Sequence, residues 1–208
     1  SIDGISIREM ELPGIPAGQV RVRIGAAAVG FVDGLKVQGL YQTKDPLPFV
    51  PGTEFAGMVD AVASDVSAFK PGMPVIGMTR SGALAEYISV PSAALKNLPA
   101  QVPFEAGASF QANYLTGLYA LDARASLQAG EILLVLGAAG GVGIAAVQIG
   151  KLMGARVIAA ASTQEKRDFA IQFGADETID YTQANWRETL KALTGGKGPD
   201  IIHLRAYG

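Results

Sequence analysis

At 208 residues the chain can hold two modest domains or one large one, and 49% hydrophobic against 17% charged residues excludes a disordered chain. Its 17 basic and 19 acidic residues leave a net charge of -2 with no basic block, which points away from nucleic acid and from an anionic membrane as partners. With no cysteine there are no disulfides and no thiolate zinc sites, a composition that fits a reducing, cytoplasmic setting.

No basic segment followed by an apolar core opens the chain, so no secretory signal is expected. Residues 1–19 alternate apolar and polar before running into Pro and Gly, which predicts a strand and then a loop. Val20-Arg21-Val22-Arg23-Ile24 alternates strictly, as a half-buried strand does. Further strands are expected near Phe55–Val62, Pro74–Gly77, Leu84–Val90 and Ala93–Leu98, punctuated by the turns Pro51-Gly52 and Pro71-Gly72. The front half thus reads as a β-rich, barrel-like domain, assigned to residues 1–107.

The texture changes near Pro103. Residues 104–123 read as one helix or two, leading to Ile132–Leu136, a short apolar run typical of a strand buried on both faces. A glycine-rich turn follows, then an apolar stretch of helical length starting at Ile144. The uncharged run from Ile132 to Gly150 is long enough to imitate a membrane span. Its glycines and central turn chemistry favour strand–turn–helix instead. Beyond it come a strand (Arg156–Ala161), a helix (Gln164–Phe173), a strand (Glu177–Ile179), a helix (Asn185–Leu193) and a strand (Asp200–His203). Alternation of this kind implies a doubly wound parallel sheet, assigned to residues 108–208.

Strand, glycine turn and helix are the physical parts of a dinucleotide site. Ala138-x-Gly140-x-x-Gly143 fits the fingerprint, with alanine in the first glycine position. Glycines let the backbone approach a pyrophosphate, and the N–H groups opening the helix meet its charge. Ala138, Ala139, Gly140, Gly141, Val142 and Gly143 are therefore the candidate cofactor-binding stretch. The alternative is a glycine-rich loop that only packs.

Five segments carry a resemblance: V-G-F-V-D (29–33), G-L-Y (39–41), P-F-V-P-G-T-E-F-A-G (48–57), L-G-A-A-G-G-V-G (136–143) and G-A-D-E-T-I-D-Y (174–181). Through nearly its whole length the chain resembles the medium-chain dehydrogenase/reductase superfamily, and within it the zinc-independent quinone oxidoreductases related to zeta-crystallin. The resemblance implies a GroES-like front domain and a partial Rossmann-like domain, with the active site in the cleft between them. It also implies a homodimer in full-length relatives.

Zinc alcohol dehydrogenases of the superfamily have Gly-His-Glu where this chain reads Gly52-Thr53-Glu54. The only histidine, His203, lies far along the chain, and zinc needs three or four convergent ligands. No metal site is expected, and His203 reads as structural.

An NAD-selective Rossmann site usually carries an acid about 20 residues past the glycines, on the ribose 2′-OH. Here that place reads Ala159-Ala160-Ala161-Ser162, so no carboxylate repels a 2′-phosphate. In the resembling quinone oxidoreductases, positions matching Ser162, Lys166 and Tyr181 hold that phosphate, which makes NADPH the expected cofactor. The resemblance also places Asp33, Tyr41 and Thr116 near the nicotinamide and substrate. Tyr41 could donate to a carbonyl oxygen or simply wall the pocket, and Asp33 could orient neighbours.

Where relatives have Asn in N-x-x-D this chain has Gly30, and a second aromatic of some relatives is Leu35 here. Both changes remove polar or aromatic character from the pocket. No Ser-His-Asp arrangement, cysteine nucleophile or carboxylate pair suggests hydrolysis. Hydride transfer needs little of that kind, because the cofactor carries the chemistry. The expected activity is NADPH-dependent reduction of a quinone or related conjugated carbonyl. The alternatives are an enal or enoyl-thioester reductase, or a nucleotide-binding remnant without catalysis.

Family members usually begin a dozen residues earlier, and after Gly198-Pro199-Asp200-Ile201-Ile202 the segment 203–208 departs from their pattern. The chain is thus expected to be shortened at both ends, to hold the adenosine end of the cofactor and to turn over poorly.

Overall fold

The computed structural model describes residues 4–204. The chain divides into two compact units, Ser1–Gln111 and Ala112–Gly208.

In the first unit, β1 (Gln19–Ala28), β2 (Glu54–Val62), β3 (Pro74–Met78), β4 (Tyr87–Pro91) and β5 (Leu95–Asn97) form one antiparallel sheet in the order β4-β1-β2-β3-β5. β1 is the longest member and lies between β4 and β2, pairing Val20 with Val62 on one side and Val90 on the other. Its alternation drives Val20 and Val22 inward to meet Phe55, Val75, Ile88 and Leu95 in one core. A second, smaller cluster of Ala56, Leu98 and Ala108 lies under α2 (Phe104–Ala108).

Two expectations for this unit fail. The described part of residues 1–19 contains no strand before Gln19, and Ile7 is fully exposed, because no neighbouring strand offers it a ladder; residues 1–3 lie outside the described residues. The strands expected over 84–90 and 93–98 shrink to β4 and β5, because a turn takes 84–86 and a 3-10 turn takes Ser92–Ala94. One element was not foreseen, the helix α1 (Phe31–Val37). Its start is marked by Gly30, whose N–H donates to Oδ2 of Asp33 at 2.8 Å. A glycine at the cap, β-branched residues and an internal Gly34 hide it from pattern reading.

In the second unit, β6 (Ile132–Leu136), β7 (Arg156–Ala160), β8 (Glu177–Ile179) and β9 (Ile201–Leu204) form a parallel sheet in the order β8-β7-β6-β9. α3 (Gln111–Leu118) runs into a π-helical segment (Tyr119–Arg124) before the sheet begins. Consecutive strand residues feed opposite faces. Leu133, Val135, Val157 and Ala159 pack with Ala146 and Val147 of α4 (Gly141–Leu152) and Ala170 of α5 (Gln164–Gln172). Leu134, Ile158, Ala160 and Ile179 pack with Leu190 of α6 (Trp186–Leu193). The sheet is therefore doubly wound, as its continuous apolar strands require. The order steps outward from β6 to β8 and then returns to the far side of β6 with β9, so the switch lies between β6 and β9. No helix among the described residues is long and apolar enough to cross a membrane.

Candidate functional site

The loop after β6 leaves the sheet at the strand ends where ligands bind open α/β sheets. Gly137 turns it with φ 67°, in the left-handed region, and its N–H and that of Ala138 donate to the carbonyl of Ala160 at 3.1 and 3.2 Å. Gly140 caps α4 without a side-chain hydrogen bond, and the first helical bond is given by Ile144 to Gly140 at 2.8 Å. The N–H groups of Gly141, Val142 and Gly143 precede that bond and have no intrahelical acceptor. Gly137, Gly140 and Gly141 are exposed, whereas Ala138, Val142 and Gly143 are buried beneath them. A Cβ on Gly143 would stand 2.8 Å from Cα of Ala138 and nearer still to the Gly137 carbonyl oxygen. Gly143 thus lets helix and loop close on each other, while Gly137 and Gly140 leave exposed backbone with room beside it.

Four candidate residues of the second unit line two hollows. Thr116 shares a hollow of about 290 Å³ with Val142 of the first helical turn and with His203 of β9. Lys166 shares a shallow depression of about 710 Å³ with Ala139 of the loop. Ser162 follows β7, and Tyr181 stands two residues past β8. The side chains of Ser162, Lys166 and Tyr181 make no hydrogen bond among the described residues. Lys166 lies in the first turn of α5, where Oγ1 of Thr163 accepts its backbone N–H at 3.3 Å.

The polar groups around them are engaged. Arg167 donates to the Ala161 carbonyl at 3.1 Å and lies 3.2 Å from Oδ2 of Asp180. Asp180 accepts the hydroxyl of Thr182 at 2.6 Å and its N–H at 2.9 Å. Those two bonds, the hydroxyl's first, hold its carboxyl down to about 2, against a small upward push from burial.

In the first unit, Asp33 is 3% exposed; one carboxylate oxygen caps α1, and the other has no protein partner among the described residues. Tyr41 is half-buried and its phenol makes no hydrogen bond among the described residues, to Asp33 or otherwise. A Cβ on Gly30 would stand 3.4 Å from the Asp33 carboxylate, so the missing side chain leaves open room at the cap.

Pattern reading missed three contributors. Gly137 precedes the fingerprint as first written, and only its positive φ reveals its part. Asn113 lies against the first residue of α4: a Cβ on Gly141 would be 2.8 Å from both its amide atoms. The signal lies in the segment Asn113-Tyr114-Leu115-Thr116, where the amide stands three residues before the Thr116 hydroxyl. The third is an ion cluster of Lys36, Asp45 and Arg80, buried at Lys36 and Asp45, which no local pattern announces. Lys36 Nζ lies 2.9 Å from Asp45 and donates to the Arg80 carbonyl, and Arg80 Nε donates to Asp45 at 2.7 Å. Bonds from Lys36 and then Arg80 hold the Asp45 carboxyl below the ordinary carboxylate range.

Residues 16–100 match the alcohol dehydrogenase GroES-like domain, and residues 141–203 match the family described as zinc-binding dehydrogenase. Position 53 is threonine, the chain has no cysteine, and no group of three or more His, Cys, Asp or Glu comes together among the described residues.

The chain is 36% identical over 198 residues to quinone oxidoreductase-like protein 2 of Rattus norvegicus, covering 95% of this chain and 57% of that protein. The Escherichia coli quinone oxidoreductase solved in complex with NADPH superposes with a TM-score of 0.83 at 33% identity, over 91% of this chain and 58% of that one. The CurK enoyl reductase superposes with a TM-score of 0.90 at 28% identity, over 100% of this chain and 65% of that one. The chain spans little more than half the length of the curated relatives it matches, between 52% and 59%.

Proposed function

The chain belongs to the medium-chain dehydrogenase/reductases, on the quinone oxidoreductase side of that superfamily, and from that premise we propose that it serves an NADPH-dependent reductase of quinones or related conjugated carbonyls. The observation that carries the reading is the open end of α4. Exposed backbone at Gly140 and Gly141 lies there, the first-turn N–H groups have no intrahelical acceptor, and Asn113 stands against Gly141. Such a cradle fits a pyrophosphate. Beside it, the end of β7 bears Ser162 in place of an acid, and Lys166 shares a depression with the loop. Hydroxyl and ammonium donors suit a dianionic 2′-phosphate, which a carboxylate would repel.

NADPH, once bound, would supply the hydride. The chain's part is to hold and to orient. Gly141, Val142 and Gly143 offer N–H groups to the pyrophosphate, and Ser162, Lys166 and Tyr181 take the 2′-phosphate. Thr116 presents a hydroxyl beside Val142, toward the nicotinamide end. Tyr41 is the donor proposed for the acceptor oxygen. Asp33, committed to the cap of α1, positions the Gly30 turn and exchanges no proton in this reading. A quinone needs only polarisation of its oxygen and exclusion of water from the reacting face, so no further acid or base is required.

A second reading, reduction of an enal or enoyl thioester, is favoured by Gly30, where relatives place an amide, and by the likeness to the CurK enoyl reductase. Comparing turnover of quinones and enals by an enzyme carrying this Gly30 separates the two.

The cofactor test is a titration of the chain with NADPH and NADH. Lys166→Ala should weaken NADPH by roughly tenfold, since one charge-assisted bond is worth about 1.5–3 kcal/mol, and leave NADH nearly unchanged. An equal loss for both cofactors would remove Lys166 from the phosphate site.

A further inference from the structure

The three groups proposed for the 2′-phosphate do not hold one another. Ser162 and Tyr181 ride on the ends of different strands, and the ladder between those strands closes with the bond from Ala161 N to Ile179 O at 3.1 Å. Arg167 makes the next rung with its side chain. Nη1 donates to the carbonyl of Ala161, the residue before Ser162, at 3.1 Å, and lies 3.2 Å from the carboxylate of Asp180, the residue before Tyr181. Nη2 is held by Oε1 of Gln164 at 3.0 Å. The guanidinium side chain is only 13% exposed and that of Asp180 22%, so neither is a loose surface group.

Asp180 also poses an electrostatic problem. It is a full negative charge next to a residue meant to bind a phosphate. Its ionisation does not depend on Arg167, because the hydroxyl and N–H of Thr182 are the main groups that lower its pKa, and Arg167 adds least. With Arg167 removed, the charge would remain, uncompensated, one residue from Tyr181.

We propose that Arg167 is a positioning and specificity-determining residue for 2′-phosphorylated nucleotides: it ties the ends of β7 and β8 together and cancels the Asp180 charge that would otherwise repel the phosphate. The proposal rests on the NADPH reading, and the test is built so that the two fail separately.

The 208-residue chain is titrated calorimetrically with 2′,5′-ADP and with 5′-AMP, which differ only in the phosphate at issue. The wild-type chain should prefer 2′,5′-ADP. Arg167→Met should weaken 2′,5′-ADP about tenfold and 5′-AMP less than about twofold, a coupling of the size found between adjacent charges. Arg167→Met combined with Asp180→Asn should recover most of that selective loss. Arg167→Lys should fall between wild type and Arg167→Met, because it keeps the charge and loses the fork that spans two acceptors.

A wild-type chain with no preference for 2′,5′-ADP overturns the NADPH reading and this inference with it. A wild-type preference that survives Arg167→Met undiminished overturns the inference alone. Equal weakening of both nucleotides, unrelieved by Asp180→Asn, would show Arg167 to be a structural brace only. Should Arg167→Met not fold, Asp180→Asn alone decides. With Arg167 in place, removing the carboxylate charge should leave 2′,5′-ADP bound at least as tightly as in wild type, and a selective tenfold loss counts against the proposal.

Discussion

In the N-terminal unit Lys36, Asp45 and Arg80 are used up on one another, with the side chains of Lys36 and Asp45 each 5% exposed. In the C-terminal unit the charged head of Lys166 stands in water with no partner among the described residues, in a hollow shared with Ala139 of the loop before α4, whose first N–H groups have no intrahelical acceptor. The difference separates architecture from binding. A buried cation needs its counter-ion merely to be tolerated. An exposed cation beside uncapped backbone donors is in position to meet an anion from outside. Asp33 belongs with the first kind, since one of its oxygens caps α1. Arg167 and Asp180 stand between the two, partly buried, mutually paired and placed directly behind the open residues.

The sharpest way to break this comparison is to close the open end of α4. At Gly143 a Cβ would press on backbone atoms of Gly137 and Ala138, which cannot yield as a flexible side chain would. Gly143→Ala should therefore cost about 3 kcal/mol in chemical denaturation and abolish nucleotide binding. At Gly140 the nearest atom to a Cβ is 3.5 Å away and the backbone is extended, so Gly140→Ala should fold with a loss under about 1 kcal/mol. If both variants lost stability alike, the division of labour between buried and exposed glycines would be wrong.

Next in size is the ion cluster of the first unit. Lys36→Met removes the better buried cation and leaves Asp45 with Arg80 alone. A loss of about 2 kcal/mol is expected, less than for a pair stripped of its only partner. It should resist added salt, because little solvent reaches the pair. A change within error would show that the cluster is decoration.

Which features were legible follows from how local their causes are. The parallel sheet could be read because β6, β7 and β9 are short, mostly apolar runs, β8 falls in its place in the strand–helix alternation, and the glycine turn is contiguous in sequence. Residues 5–12 misled because alternation makes a strand only where a neighbour supplies a ladder, and that neighbour is not a local property. The loop from Ala138 to Gly143 was legible from its chemistry, but Gly137 was not, since a positive φ leaves no mark on composition. Lys36 and Asp45 are nine residues apart, with Arg80 much later, and Arg167 meets Asp180 across two strand ends. Such pairings exist only once the chain has folded.

The smallest expected effect distinguishes the two partly or fully buried carboxylates by acid. Asp180 has its pKa lowered from 3.8 to about 2 in the folded chain. An unfolded aspartate titrates near about 3.9. A depressed folded pKa means that the unfolded chain takes up the proton first as pH falls. The stabilising contribution is therefore complete above about pH 4 and drains away toward about pH 2. Asp180→Asn, having no proton to take up, should show a shallower fall in melting temperature over that window. The difference should be modest and should shrink in high salt, because the group is only partly buried and salt still screens its interactions. Asp45 is lowered in the same direction by Lys36 and Arg80, so Asp45→Asn should flatten the same acid limb. Its effect should persist better in salt, because the side chains of Asp45 and Lys36 are each only 5% exposed. Melting curves recorded from pH 5 to pH 2 at low and high salt test both. Identical salt dependence for the two variants would mean that the buried and the partly buried charges of this protein are not different in kind.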